Sequence, residues 1–347
     1  MLTITKRGAA DTDISRRQRL ILEKIVGLYT AYGDPVGSKY LGSVIDELSV
    51  SSATLRNEMA TLTSLGYLEQ PHTSAGRVPT VMGYRYYVDN LMRSEAPDED
   101  EKQYIKNAIE NMDSDAERAA EEAARLLSRI TGVAAITTTP KGGNVQITHF
   151  ELIRTGRYNV AVLAVSSVGG VKTRVCRLRS EITDQELAEL QSMLNRSLVF
   201  ISAEDVSESL VSSVMAAGKE KYEPIIRSAV LIIKNINEVR VYSDGQQTLL
   251  QYHELDGYIG KLLDMFSDTG GLKEALETDE PLKILVGEGP GHLGEGNLGM
   301  VVGRYRASGG RYGAIAVAGP FRMNYGYIVP RLDWFRTCLS NTLTGPI

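Results

Sequence analysis

Cysteine is nearly absent from this 347-residue chain. Its two copies, Cys176 and Cys338, lie far apart without a C-x-x-C spacing, which excludes a thiolate metal knuckle and a disulfide-stapled scaffold. Histidine is almost as scarce. His149, His253 and His292 have no companion at ligand spacing, and no Ser-His-Asp or Cys-His arrangement forms around them. No apolar run approaches the roughly 18 residues of a membrane helix; 229–233 is typical of what the chain offers. Lys6 and Arg7 are followed by no apolar stretch of the signal type, so a cytoplasmic location, no membrane partner and no cofactor are the expectations. Strong positive charge is missing too. The net charge is -5, and residues 1–93 hold 11 Lys and Arg against 9 Asp and Glu. Affinity for nucleic acid would have to come from a few well-placed cations and from dimerisation.

What is present reads as an ordinary folded chain, 43% apolar and 23% charged, long enough for two or three compact units. From Arg17 to Tyr32, Ile21, Ile25, Leu28 and Tyr32 recur at helical spacing, and Gly33-Asp34-Pro35 stops the helix. A second short helix buries Leu41, Val44, Ile45 and Leu48 behind Ser38 as N-cap, with Ser49 closing it. A third begins at Ser51 or Ser52, buries Leu55, Met59 and Leu62, and ends at Gly66. Its other face is polar: Thr54, Asn57 and Thr61, flanked by Arg56 and Glu58. A strand at 67–69, a loop tip at 71–76 and a return strand from Arg77 complete a hairpin, and no acidic residue occurs between Gln70 and Val88.

Residues 94–122 carry 11 Asp and Glu against 3 Lys and Arg, a boundary followed by solvated helix. Strands are expected at 133–139, 145–153, 158–166 and 171–178, then helices at 182–200, 210–215 and 225–233. A hairpin is expected at 239–252 around Asp244-Gly245, with further strands at 282–286 and 314–317. This order describes an α+β chain whose sheet domain is interrupted by an insertion.

Three helices and a two-stranded wing, with the third helix polar outside, is what major-groove reading requires. Ser51, Ser52, Thr54, Arg56 and Asn57 occupy its opening turn: arginine can fork to guanine, asparagine can pair with adenine, and hydroxyls can serve phosphate or base. His72, Thr73, Ser74 and Arg77 form an acid-free wing suited to the DNA backbone. Other readings stay open. A small helical bundle with a hairpin would show the same periodicity. The glycines from Gly287 to Gly299 lack both the P-loop ending and the G-x-G-x-x-G fingerprint, which leaves an enzyme reading little to stand on. A small-molecule sensor lined by Tyr158, Tyr242, Tyr252 and Tyr258 is the closer rival.

Several segments carry a resemblance. They are Val36-Gly37-Ser38-Lys39, Ser51 to Met59 (SSATLRNEM), Gly66 to Thr80 (GYLEQPHTSAGRVPT) and Gly83 to Val88 (GYRYYV). Together they closely resemble the bacterial heat-inducible transcription repressor HrcA family, and Gly319-Pro320-Phe321-Arg322-Met323-Asn324-Tyr325 resembles its C-terminal signature. The resemblance implies a homodimer of three-part subunits: an N-terminal winged helix-turn-helix over 1–93, a central GAF-like antiparallel-sheet domain over 94–185 and 280–347, and an inserted helical and β dimerisation domain over 186–279. It implies binding of an inverted-repeat double-stranded DNA operator, called CIRCE in this family, upstream of chaperonin and chaperone genes, with chaperonin as modulator and repression relieved on heat shock. Lys39 joins the expected DNA-binding residues on this ground. The chain departs from the family at Gly287 to Gly299 and at Thr63, where an acidic residue is common; the latter reads as a surface difference that leaves the wing undisturbed.

Overall fold

A computed structural model describes residues 14–45, 50–113, 115–218, 220–252, 255, 257–287 and 298–344. Helix α1 (Arg16–Tyr32) starts in a capping box made by Ser15 and Gln18, buries Ile21, Leu22, Ile25 and Val26, and stops at Gly33 with φ 76°. Helices α2 (Ser38–Val44) and α3 (Ser52–Ser64) pack their apolar stripes on it through Leu41, Leu55, Met59 and Leu62. Leu48 and Ser49 lie outside the described residues. Strands β1 (Leu68–Glu69) and β2 (Val78–Pro79) form the wing, and the pair Val36 and Arg77 bridges it to the segment before α2. Tyr84 and Tyr86 sit on helix α4 (Val81–Tyr86), which is continued by a π-turn over Tyr87–Leu91. Gly83 is required there, because a Cβ would lie 2.1 Å from Tyr67 O; only glycine lets α4 rest on the wing strand. Tyr84 is fully buried, and desolvation holds its hydroxyl far above the ordinary phenol range.

Helices α5 (Glu99–Glu110) and α6 (Ala116–Thr131) lead into strand β3 (Ala134–Thr138). That strand joins β7 (Val241–Asp244), β8 (Leu282–Val286), β9 (Leu298–Ala307) and β10 (Arg311–Pro320) in an antiparallel sheet of order β7-β3-β10-β9-β8. Alternation along the strands sends Ala135, Val301, Ile315 and Val317 to one face, under α6 and helix α12 (Tyr325–Thr344). Ala134, Ile136, Met300, Val302 and Ala316 face the other way, under helices α10 (Ile259–Ser267) and α11 (Thr269–Ala275). The winged helix shares the first of these cores.

A second sheet, β4 (Ile147–Arg154), β5 (Asn159–Ser166) and β6 (Val171–Arg177), stands apart with its own core. Phe150, Leu152, Val160, Val162 and Ala164 pack under helices α7 (Asp184–Ser197), α8 (Glu208–Ala217) and α9 (Glu223–Lys234). The segment that leaves the larger sheet therefore lies between β3 and β7, after the Lys141–Tyr312 bridge and up to Arg240, where the resemblance implied 186–279. The physical reason is pairing: β4, β5 and β6 hydrogen-bond to one another and bury their side chains with α7 to α9, away from β3. The hairpin expected at 239–252 is also corrected. After Gly245 the chain turns into a 3-10 helix over Gln246–Gln251, and β7 pairs with β3 instead.

Candidate nucleic-acid interface

The interface is built on α3 and the wing. Ser51 Oγ accepts from Thr54 N at 3.2 Å, capping the helix, and lies 3.0 Å from Thr54 Oγ1, so the two hydroxyls are hydrogen-bonded to each other. Ser51→Ala should lower the opening free energy of the α3 amides by about 1 kcal/mol, and Ser51→Gly by only a few tenths, measured by hydrogen exchange. An equal loss in both variants would contradict the cap assignment. Glu58, on the flank, accepts Arg17 Nη1 at 3.2 Å and Gln18 Nε2 at 2.9 Å, which ties α3 to the first turn of α1. What remains outward is Ser52, Arg56 and Asn57, exposed and free of side-chain partners among the described residues. Lys39 is exposed on α2 in the same condition.

The wing tip is held from inside. Gln70 Nε2 donates to Thr73 O at 2.9 Å and Ala75 O at 3.0 Å, so His72, Thr73 and Ser74 project into solvent from a preformed loop. Arg77 differs from its expected place. It is half-buried, and its Nε donates to Thr63 Oγ1 at 3.0 Å in the last turn of α3. Thr63, read from the sequence as a surface difference that leaves the wing undisturbed, is thus a contact that joins the wing to α3. Arg77→Ala should weaken binding to every DNA sequence by a similar factor and reduce the salt slope by about 1. Thr63→Val, which removes the acceptor and keeps the cation, should leave that slope in place. Salt titration of DNA affinity checks both, and an unchanged slope in Arg77→Ala would remove Arg77 from the interface.

Sequence reasoning missed the basic first turn of α1. Arg16, Arg17 and Arg19 sit where the helix dipole is positive, with no acidic residue beside them in that turn. The signal was legible: three cations opening a helix run against the dipole preference, and a phosphate would reverse that cost. The four tyrosines of the sensor reading are not brought together. Tyr158 stands beside the smaller sheet, Tyr252 and Tyr258 pack against the core on one face of the larger one, Tyr242 lies on its edge strand β7, and none lines the cleft of about 850 Å³ over that sheet. Its mouth is spanned by Lys141 paired to Glu277 and by Arg304, 3.1 Å from Asp279 and stacked over Tyr312 at 3.8 Å. No cluster of three or more His, Cys, Asp or Glu able to hold a metal ion occurs among the described residues. No helix among them is long and apolar enough to cross a membrane.

A winged helix-turn-helix with an exposed, uncommitted polar face on its third helix defines a DNA-binding transcription regulator. Comparisons with known proteins narrow this. Residues 13–91 match the family described as winged helix-turn-helix transcription repressor, HrcA DNA-binding, and residues 117–329 match the HrcA protein C terminal domain. The heat-inducible transcription repressor HrcA of Desulforudis audaxviator is 33% identical over 340 residues, covering 95% of this chain and 98% of that relative. That of Brevibacillus brevis is 31% identical over 351 residues, covering 96% and 98%. The crystal structure of a hypothetical protein shares the fold, with a TM-score of 0.67 and 24% identity over 95% of this chain and 99% of that one. The chain belongs to the HrcA family of heat-inducible transcription repressors, which are regulators of transcription and not enzymes.

Proposed function

We propose that the protein binds an inverted-repeat operator of the CIRCE type as a two-fold homodimer and represses chaperonin and chaperone genes until heat relieves it. The observation that carries this reading is the outward face of α3, where Arg56 and Asn57 stand exposed and uncommitted at the end of the helix that enters the groove. Lys39, Ser52, His72, Thr73, Ser74, Arg77 and the cations Arg16 and Arg19 supply the surrounding contacts to phosphate.

Support for the dimer comes from the smaller sheet. Its helix-free face sets Ile153, Ala161 and Val175 in one cross-strand row, Glu151, Leu163 and Thr173 in the next, and His149, Val165 and Val171 in a third. Ile153 is 46%, Val171 49% and Val175 65% exposed, an apolar sheet surface of the kind buried when two sheets pack face to face. A second copy is the natural cover, because a two-fold operator needs two symmetric readers. The larger sheet with helices on both faces is read as the GAF-like domain, and chaperonin as the modulator whose diversion to unfolded clients lowers repressor activity.

Transcription in vitro from a template carrying the inverted repeat before a chaperonin gene tests this. Repression at low temperature, relief on heating and restoration by added chaperonin are expected. Unchanged transcription at saturating protein would overturn the proposal.

A further inference from the structure

The C-terminal signature at 319–325 closes on the winged helix from the far end of the chain. Phe321 sets its ring edge-on to buried Tyr84 of α4, with centroids 5.0 Å apart. The Tyr84 hydroxyl lies 3.0 Å from Thr30 Oγ1 on the last turn of α1. Arg322 Nη1 donates to Thr30 O at 3.2 Å, which places a cation on the carbonyl end of α1, where the helix dipole is negative. The same guanidinium lies 5.4 Å over Tyr252 and 6.0 Å over Tyr29. Two further bonds run beside it: Arg85 Nε donates to Val286 O at 3.0 Å, and Glu95 N donates to Gly326 O at 2.9 Å. The body thus grips the winged helix by α4 and by the C-terminal end of α1, away from α3 and the wing and at the opposite end of α1 from Arg16 and Arg19.

We infer that segment 319–326 is an interdomain latch that fixes the direction each winged helix faces, and with it the half-site spacing the dimer accepts. Phe321 and Arg322 are positioning residues for DNA reading, and this rests on the dimeric reading proposed above. A rigid dimer engages both half-sites only when their separation and rotation match its two heads. One extra base pair moves a half-site by roughly 3.4 Å and turns it by roughly 34°, so rigid heads reject it and loosened heads accept it.

The test uses the full chain and its Phe321→Ala, Arg322→Ala and Arg322→Lys variants. Affinity is measured on inverted repeats whose spacers differ by one to three base pairs and on an isolated half-site. The wild type should lose about tenfold or more on leaving its best spacer, by loss of simultaneous engagement. Both alanine variants should bind that best spacer about tenfold more weakly, with a flattened profile across spacers, because preorganisation is lost. Their half-site affinity should stay within about twofold, which also reports that the winged helix is folded. Arg322→Lys, which keeps a cation on Thr30 O, should recover the sharp profile. A sharp profile in both alanine variants would overturn the latch, and so would a half-site loss as large as the loss on the repeat. A wild type that binds the half-site as tightly as the repeat would overturn the dimeric reading first, and the latch with it.

Discussion

Val175→Asp should leave the chain folded and monomeric, with operator affinity reduced by about 10²- to 10⁴-fold through loss of the second reading head. Val175 is 65% exposed in the single chain, so a carboxylate there remains in water and changes fold stability by about 0.5 kcal/mol at most. Packed against a second sheet, the same carboxylate would be buried among Ile153, Ala161 and their symmetry mates without a partner. Burying an unpaired charge is far more expensive than burying a methyl is favourable, so the dimer gives way before the fold does. Sedimentation at micromolar concentration reads the oligomeric state, and operator titration reads the affinity. Val175→Thr, close in size and uncharged, should remain dimeric. A Val175→Asp chain that stays dimeric and binds normally would remove this sheet face from the interface.

Replacing Arg56 or Asn57 by alanine should cost about 1 to 3 kcal/mol per half-site and relax preference at one base pair. Each change enters twice in a two-fold complex, and well-separated effects add, so the loss on the full operator should be about double that on a half-site. Neither side chain is engaged within the described residues, so the fold should not answer for the loss. Arg56→Lys discriminates the mechanism. It keeps the charge but not the forked geometry, and should therefore retain nonspecific affinity while losing most of the base preference. Binding titrations against operators with single base-pair changes measure this. Equal losses on all sequences would reassign Arg56 and Asn57 to the phosphate backbone.

The winged helix was largely legible because its signals are local. Ile21, Ile25, Leu55, Met59 and Leu62 fall on one face each, and Ser51 and Gly66 mark the ends of α3. What escaped was nonlocal. The strands at 147–177 look like those of the larger sheet in composition, and only pairing decides which sheet a strand joins. Gly245 was read as a hairpin turn, yet its φ of 76° and a Cβ position 1.9 Å from Ser128 Oγ require glycine where β7 passes close to α6 and a 3-10 helix follows. Helix α12 carried no expectation from the sequence, although Tyr325, Ile328, Val329, Leu332, Phe335 and Leu339 recur at helical spacing around Pro330. At the site, Ser52, Arg56, Asn57, His72, Thr73 and Ser74 are exposed, as the helical and wing patterns of the sequence led one to expect. The sequence could not show that the Ser51 hydroxyl is shared between the cap and the Thr54 hydroxyl, or that Arg77 reaches Thr63 fourteen positions away.

The central claim is that two copies of this chain read a symmetric operator through α3. Hydroxyl-radical footprinting on the inverted repeat, with the mass of the same complex measured by sedimentation, tests it most directly. The account predicts two protected half-sites related by the operator dyad and two chains per DNA. Protection of one unsymmetric site by a single chain, or affinity equal to that for scrambled DNA, would contradict it.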